Sequence, residues 1–204
     1  YQPAPLPVRP NLYLAMNHSA HKKEHKHNMH HHLNFDYSAL NYSMLKTLKP
    51  VKYEGPLRIV KLDLTGNMES YNWSFNNKPL SKADVIKINR GEVVRFVFNN
   101  TTMMHHPLHL HGHFFKVISG NGDHDVLKHT VDVPPMQSVT IEFAANEEKD
   151  WFFHCHNLYH AKTGMARVVR YSDYPGNPAF MEARQKSDDI KDSDWYTRTD
   201  LGLY

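Results

Sequence analysis

The sequence predicts an all-β domain, a sandwich or barrel of short strands, with an irregular arm before it and a short tail after it. Three observations carry this. From Gly55 onward, segment after segment alternates apolar and polar residues with the period of a strand. Turn signals divide those segments at close spacing, and sustained helical periods are scarce. The first fifty residues show neither period. Taken in order, residues 57–64 alternate, and Asn76-Asn77-Lys78-Pro79 reads as a turn. Residues 85–88 and 93–98 are strand-like, divided by Asn89-Arg90-Gly91. Residues 114–118 follow, then the turn Gly120-Asn121-Gly122. Residues 138–143 alternate cleanly, and residues 151–153 and 166–171 complete the set. This gives an arm or linker over 1–50, the β domain over 51–172 and a tail over 173–204, with a surface helix expected around 178–184. The proline-spaced start, Tyr1 to Pro7, favours an extended path, and the stretch from His18 to Met44 is rich in His, Met and Lys.

Composition narrows the function. A net charge of +3 over 204 residues, with Lys and Arg scattered, does not build a nucleic-acid surface. No apolar run approaches the roughly 20 residues that a membrane span needs. The chain begins at Tyr1 and carries no secretory signal, so it reads as a piece of something longer. There is one cysteine, Cys155, which excludes an internal disulfide. The 17 histidines are clustered: seven lie in 18–32, seven in 105–129 and three in 154–160. One thiol among many imidazoles points to transition-metal chemistry rather than to structural zinc, which usually takes several thiolates.

The chemistry concentrates in residues 151–165, where Cys155, His160 and Met165 are spaced five apart. A thiolate, imidazoles and a weak thioether are the donor types of a blue-copper site. A strand end followed by a tight return loop can fold these three onto one ion, with Gly164 letting the chain pass close to it. The second imidazole comes from His105-His106-Pro107-Leu108-His109-Leu110-His111-Gly112-His113. Pro107 cannot donate to a ladder, so His106 is expected at a strand edge or in a loop. Side chains alternate across a strand. Extended backbone at 154–156 therefore turns Cys155 to one face and His154 and His156 to the other, and the same rule groups His109 with His111. Two sites result, on opposite sides of one strand. The first is His106, Cys155, His160 and Met165. The second is His109, His111, His154 and His156, and the backbone of Cys155 bridges the two.

These residues resemble the two C-terminal copper signatures of the multicopper oxidases. The family includes laccases, ascorbate oxidase, ceruloplasmin-like ferroxidases and bacterial copper-resistance oxidases. The resemblance covers roughly residues 55–172. It implies a Greek-key cupredoxin sandwich. It also implies type 1 copper on His106, Cys155, His160 and Met165, type 2 on His109, and type 3 on His111, His154 and His156. The family's trinuclear cluster uses eight histidines, of which this chain supplies four; N-terminal cupredoxin domains would bring the rest. His25-Lys26-His27 and His30-His31-His32 have a suitable spacing, but their polar flanks do not read as strands. His129 departs from many laccases, which carry an acidic residue there.

The implied activity is oxidation of a reducing substrate, Cu(I) or phenols, coupled to reduction of O2 to water. The implied location is periplasmic or otherwise extracytoplasmic. One alternative is a stand-alone blue-copper electron-transfer module. A copper nitrite reductase-like protein fits less well, because those lack the histidine that here follows the cysteine, His156. Met103 and Met104 read either as soft Cu(I) contacts or as packing. Trp151, Phe152 and Phe153 read as core, and Asp84, Glu92 and Asp123 as ordinary surface or turn charges. His105, His113, His124 and His129 read as surface or supporting residues rather than ligands.

Overall fold

The computed structural model describes residues 40–176. The paired histidines of the arm and the helix expected around 178–184 lie outside the described residues. Within them, eleven strands form two sheets packed face to face, which is the expected all-β sandwich of the cupredoxin type. The strands are β1 (Leu57–Gly66), β2 (Trp73–Phe75), β3 (Ile86–Ile88), β4 (Val93–Asn100), β5 (His106–Leu110), β6 (Phe115–Val117), β7 (Leu127–Lys128), β8 (Thr130–Val133), β9 (Ser138–Ala144), β10 (Asp150–Cys155) and β11 (Ala166–Tyr171). One sheet runs β2-β1-β4-β9-β6-β7 and the other β3-β11-β10-β5-β8. Among the described residues, no helix is long and apolar enough to cross a membrane.

Alternation puts the core where the sequence placed it. Val94, Phe96 and Phe98 of β4 point inward with Ile141 and Phe143 of β9, and meet Leu108 and Leu110 of β5 and Phe153 of β10. Phe153 is the hinge of this packing. Its ring stacks on Phe98 at 5.6 Å and on Phe75 at 5.2 Å, and meets the edge of Phe96 at 5.5 Å. Such aromatic pairs add to the burial of their area and fix the spacing of the sheets. Trp151 packs partly against this core, but Phe152 does not join it, because the pleat turns its side chain outward.

Several expectations need correction. The segment after Cys155 is not only a loop. It closes into a short helix, α1 (Leu158–Lys162), whose N-cap Asn157 accepts a hydrogen bond from Tyr159 N. His106 is the first residue of β5, at the strand's end, and β5 itself is interior to its sheet, between β8 and β10. Pro107 leaves no donor in that ladder, but its carbonyl still accepts from His156 N at 2.6 Å just past the end of β10. Gly164 serves a different neighbour. At φ +120°, a Cβ on it would lie 2.5 Å from Pro79 Cβ, so its bareness lets β11 begin against the 79–80 turn rather than against a metal. Finally, residues 40–51 are tied to the sandwich. Tyr42 Oη accepts from Asp132 N, Thr47 N donates to His124 O, and Val51 N donates to Asp123 O.

Candidate metal centre

The inner site forms where the first residue of β5, the last of β10 and helix α1 converge. His106, Cys155 and His160 are each completely buried. His160 Nδ1 lies 3.0 Å from His106 Nδ1, and Cys155 Sγ lies 3.6 Å from His160 Nδ1 and 3.9 Å from His106 Nδ1. The three donor atoms fall within 4.8 Å of one another, a grouping able to hold one metal ion. Met165 is also fully buried in this core. Its carbonyl accepts from Cys155 N at 3.0 Å and its amide donates to His160 O at 2.9 Å, so its backbone is stitched to both neighbours.

The hydrogen bonds around His106 determine which nitrogen is free. Asn100 Nδ2 donates to the carbonyls of Met104, Val133 and Pro134, which orients its amide and makes Oδ1 an acceptor. Thr102 N and Thr102 Oγ1 both give their hydrogens to that oxygen, at 2.9 and 2.8 Å. The hydroxyl, its proton used, then accepts from His106 Nε2 at 2.8 Å. His106 Nδ1 is left with a lone pair aimed at Cys155 and His160, the arrangement a metal-binding imidazole needs. Burial, with repulsion from His160 and His105, lowers His106 to about 3, and burial lowers His160 to about 4. Both rings are neutral at pH 7 and able to ligate. Burial pushes the Cys155 thiol up to about 12. The thiolate therefore needs a positive charge beside it, which a metal ion supplies.

His160 carries a further mark of fit. Its Nε2 is buried without a hydrogen-bond partner. With the lone pair on Nδ1, that nitrogen is an unsatisfied donor costing about 1–3 kcal/mol, a cost that coordination at Nδ1 would offset. Two neutral imidazoles and one thiol form a soft, nitrogen- and sulfur-based donor set of the kind copper takes.

The opposite face of β10 carries the second group. Register sets His154 beside His109, while Leu108 and Leu110 face inward with Cys155 and Phe153. His111 Nε2 lies 3.1 Å from His154 Nε2. The ring of His109 is 4.6 Å from that of His111 and 5.9 Å from that of His156, and His154 is 5.7 Å from His156. All four histidines predicted to share this face are thus brought together. Two are oriented by backbone carbonyls, which can only accept. His109 Nδ1 donates to His129 O at 2.6 Å and His154 Nδ1 to Cys155 O at 2.9 Å, leaving both Nε2 atoms as lone pairs. Burial is the main cause lowering His109 and His111, and it takes His154 to about 4 with help from its three neighbours. Phe152 stacks on His154 at 4.8 Å, so the ring read as core instead supports this face.

Other expectations resolve residue by residue. His113 is buried, donating to His111 O and accepting from Tyr171 Oη, and so holds the turn that carries His111. His105 pairs with Asp132 at 2.7 Å, and His124 bonds Thr47 O. Met103 is 76% exposed while Met104 packs against the core. Sequence reasoning missed Thr102 and Asn100, which orient His106. It also missed Trp73, which stacks on His160 at 4.3 Å. A polar residue at the end of β4, another in the loop after it and a tryptophan in a three-residue strand leave no pattern that announces these roles.

Comparison with known proteins agrees with this geometry. Residues 53–174 match the family described as Multicopper oxidase. The chain is 42% identical over 118 residues to a copper resistance protein A homolog of Pseudomonas syringae pv. tomato, covering 58% of this chain and 20% of that protein. It is 38% identical over 116 residues to the multicopper oxidase MmcO of Mycobacterium tuberculosis, covering 57% of this chain and 23% of that one. Among solved structures, Fet3p, titled a multicopper oxidase that functions in iron import, aligns with TM-score 0.59 at 19% identity over 85% of this chain and 42% of its own. A laccase from Botrytis aclada aligns with TM-score 0.57 at 17% identity, over 80% of this chain and 37% of its own. At such identities the structures speak to the fold alone. The match over residues 53–174 shows that the chain belongs to the multicopper oxidase family. It spans about a fifth of the length of the curated relatives it matches.

Proposed function

We propose that the chain is the copper-carrying C-terminal domain of a multicopper oxidase. His106, Cys155, His160 and Met165 would hold type 1 copper. His109 would serve type 2 copper, and His111, His154 and His156 type 3. Bound copper would supply one-electron chemistry, taking electrons singly from Cu(I) or a phenol and passing them to O2, which is reduced to water. The observation that carries this reading is the convergence of three buried donor atoms within 4.8 Å, back to back with four clustered imidazoles.

The chain's own residues have distinct parts in this scheme. Thr102 and Asn100 present the lone pair of His106. The substrate's electron arrives at the His106/His160 edge. Cys155 links the faces covalently, because His154 and His156 are its chain neighbours and its carbonyl anchors His154 Nδ1. The remaining histidines of the oxygen site come from N-terminal cupredoxin domains of the same parent. By the exported branch it resembles, the parent works in the periplasm or elsewhere outside the cytoplasm.

The test is optical. Purified chain loaded with Cu(II) should be intensely blue through sulfur-to-copper charge transfer. A colourless protein holding stoichiometric Cu(II) overturns the assignment.

A further inference from the structure

We propose that residues 66–73 form a closed cap over His160, the rings of Tyr71 and Trp73 holding a reducing substrate off the imidazole and slowing the delivery of its electron there. This rests on the type 1 reading above and deepens it. His160 is fully buried, and its Nε2 faces no polar partner. What covers it is aromatic. Trp73, 1% exposed, stacks on the imidazole with centroids 4.3 Å apart and planes 27° from parallel. Tyr71 meets the edges of Trp73 at 6.0 Å, of His160 at 6.5 Å and of Tyr159 at 6.4 Å.

The cap is built into the backbone. Gly66 has no Cβ because one would lie 2.5 Å from the Trp73 ring. Trp73 N donates to Thr163 Oγ1 at the end of α1, the helix that carries His160. Tyr71 sits at φ +53°, a conformation that a bulky residue adopts only when its surroundings impose it. Such strain at an aromatic residue beside a redox ligand points to a task for the ring. Tyr71 is 38% exposed and Tyr159 60% exposed, so these two rings are what a donor in water meets. The electron balance is simple. The donor loses one electron and Cu(II) gains it to become Cu(I), while any proton lost by a phenolic donor passes to bulk water.

The experiment uses the whole parent protein, with and without copper. Tyr71→Gly removes the ring and suits the backbone, since glycine adopts positive φ freely. Tyr71→Asn is the second variant, because asparagine also tolerates that region. In the metal-free protein, diethyl pyrocarbonate followed by peptide mass spectrometry should find His160 protected in the wild type and modified in the variants. Exposed His105 should be labelled equally in all. In the copper-loaded protein, stopped-flow bleaching of the blue band by hexacyanoferrate(II) and by hydroquinone is measured. The variants should bleach severalfold faster, while Tyr71→Phe should match the wild type in both assays. Faster bleaching by either donor supports the cap, and that donor names the class of reductant the cap holds off. Rapid labelling of His160 in the wild type, or bleaching that is unchanged or slower in the variants, overturns the cap. A wild-type protein that binds copper without a blue band overturns the type 1 reading instead, so the two failures are distinguishable.

Discussion

The two faces of β10 both gather histidines but bury them to different depths. On the inner face, His106, Cys155 and His160 are sealed in the core, and Met165 is buried beside them. The three donor atoms that could share one metal ion all come from this chain. On the outer face, His154 is buried, His109 and His111 are partly covered, and His156 is exposed. Four imidazoles cluster there without a thiolate or a carboxylate among the groups assigned to them. The difference teaches how a strand divides labour. Alternation gives one segment two independent faces, and only the face turned to the core can be finished by a single domain. The solvent face can present donors but cannot enclose what they hold.

The strongest way to break this comparison is at the shared residue. Cys155→Ser should abolish the blue absorption entirely, while the outer histidines keep their contacts, since their carbonyl partners are backbone. Absorption spectra of the copper-loaded variant check this, and a blue serine variant would sink the inner assignment. Oxygen consumption sharpens the same contrast. Three copper ions cannot be held firmly by four imidazoles, because each would keep exchangeable positions. The isolated chain with a chemical reductant should therefore bind one copper tightly and turn over no oxygen. Adding the N-terminal domains should start turnover. Sustained consumption by the chain alone would mean that the outer face is already complete, and one tight copper with no turnover even after reassembly would favour a stand-alone electron-transfer module.

How far the sequence foretold this division depends on what each feature needs. The long strands were legible because period two survives over β1, β4 and β9. Strands β2 and β7, at three and two residues, are too short to show a period. Helix α1 is set by the Asn157 cap and by packing beside the centre. The donors were legible because Cys155, His160 and Met165 are rare types at fixed spacing, and alternation sorts them by face. The supporting residues were not. Thr102 and Trp73 act through partners brought together only by the fold, and Phe152 looks like core until the pleat turns it outward. Glu92 was read as an ordinary surface charge, yet it accepts two hydrogen bonds from Arg58.

Thr102 offers a finer probe of the inner face. Thr102→Val keeps the shape of the side chain but removes the acceptor for His106 Nε2–H. Losing such an outer partner typically costs about 10- to 100-fold in metal affinity. Copper titration of the variant should show a loss of that size with the blue band retained but shifted, and Thr102→Ser should restore wild-type behaviour. The outer face should be untouched. Equal affinity in Thr102→Val and wild type would mean that the bond does not hold the ring.

The smallest expected effect is the control that separates stability from chemistry. Glu92 directly precedes β4 and faces Arg58 of β1, and its carboxylate bonds Arg58 and Asn89 rather than either histidine group. Its carboxylate takes Arg58 Nε at 2.6 Å and Nη2 at 3.0 Å, and also Asn89 N and Nδ2 from the adjoining turn. Those bonds, the Arg58 bond first, hold Glu92 down to about 2. An unfolded glutamate titrates near 4.3. The folded value is the lower one, so the carboxylate contributes its stability above about 4.3 and loses it as pH falls through about 2. Arg58 is 39% exposed, which screens the pair. Glu92→Gln should therefore cost about 1 kcal/mol at neutral pH. Denaturant unfolding of metal-free protein at a series of pH values should show the gap between variant and wild type closing as the pH is lowered from 5 toward 2. Copper affinity and the blue band at neutral pH should not change. A gap that persists at the acid end would show that the amide costs stability through packing rather than through the lost charge, and a changed blue band would show that the β1–β4 edge reaches the copper site after all.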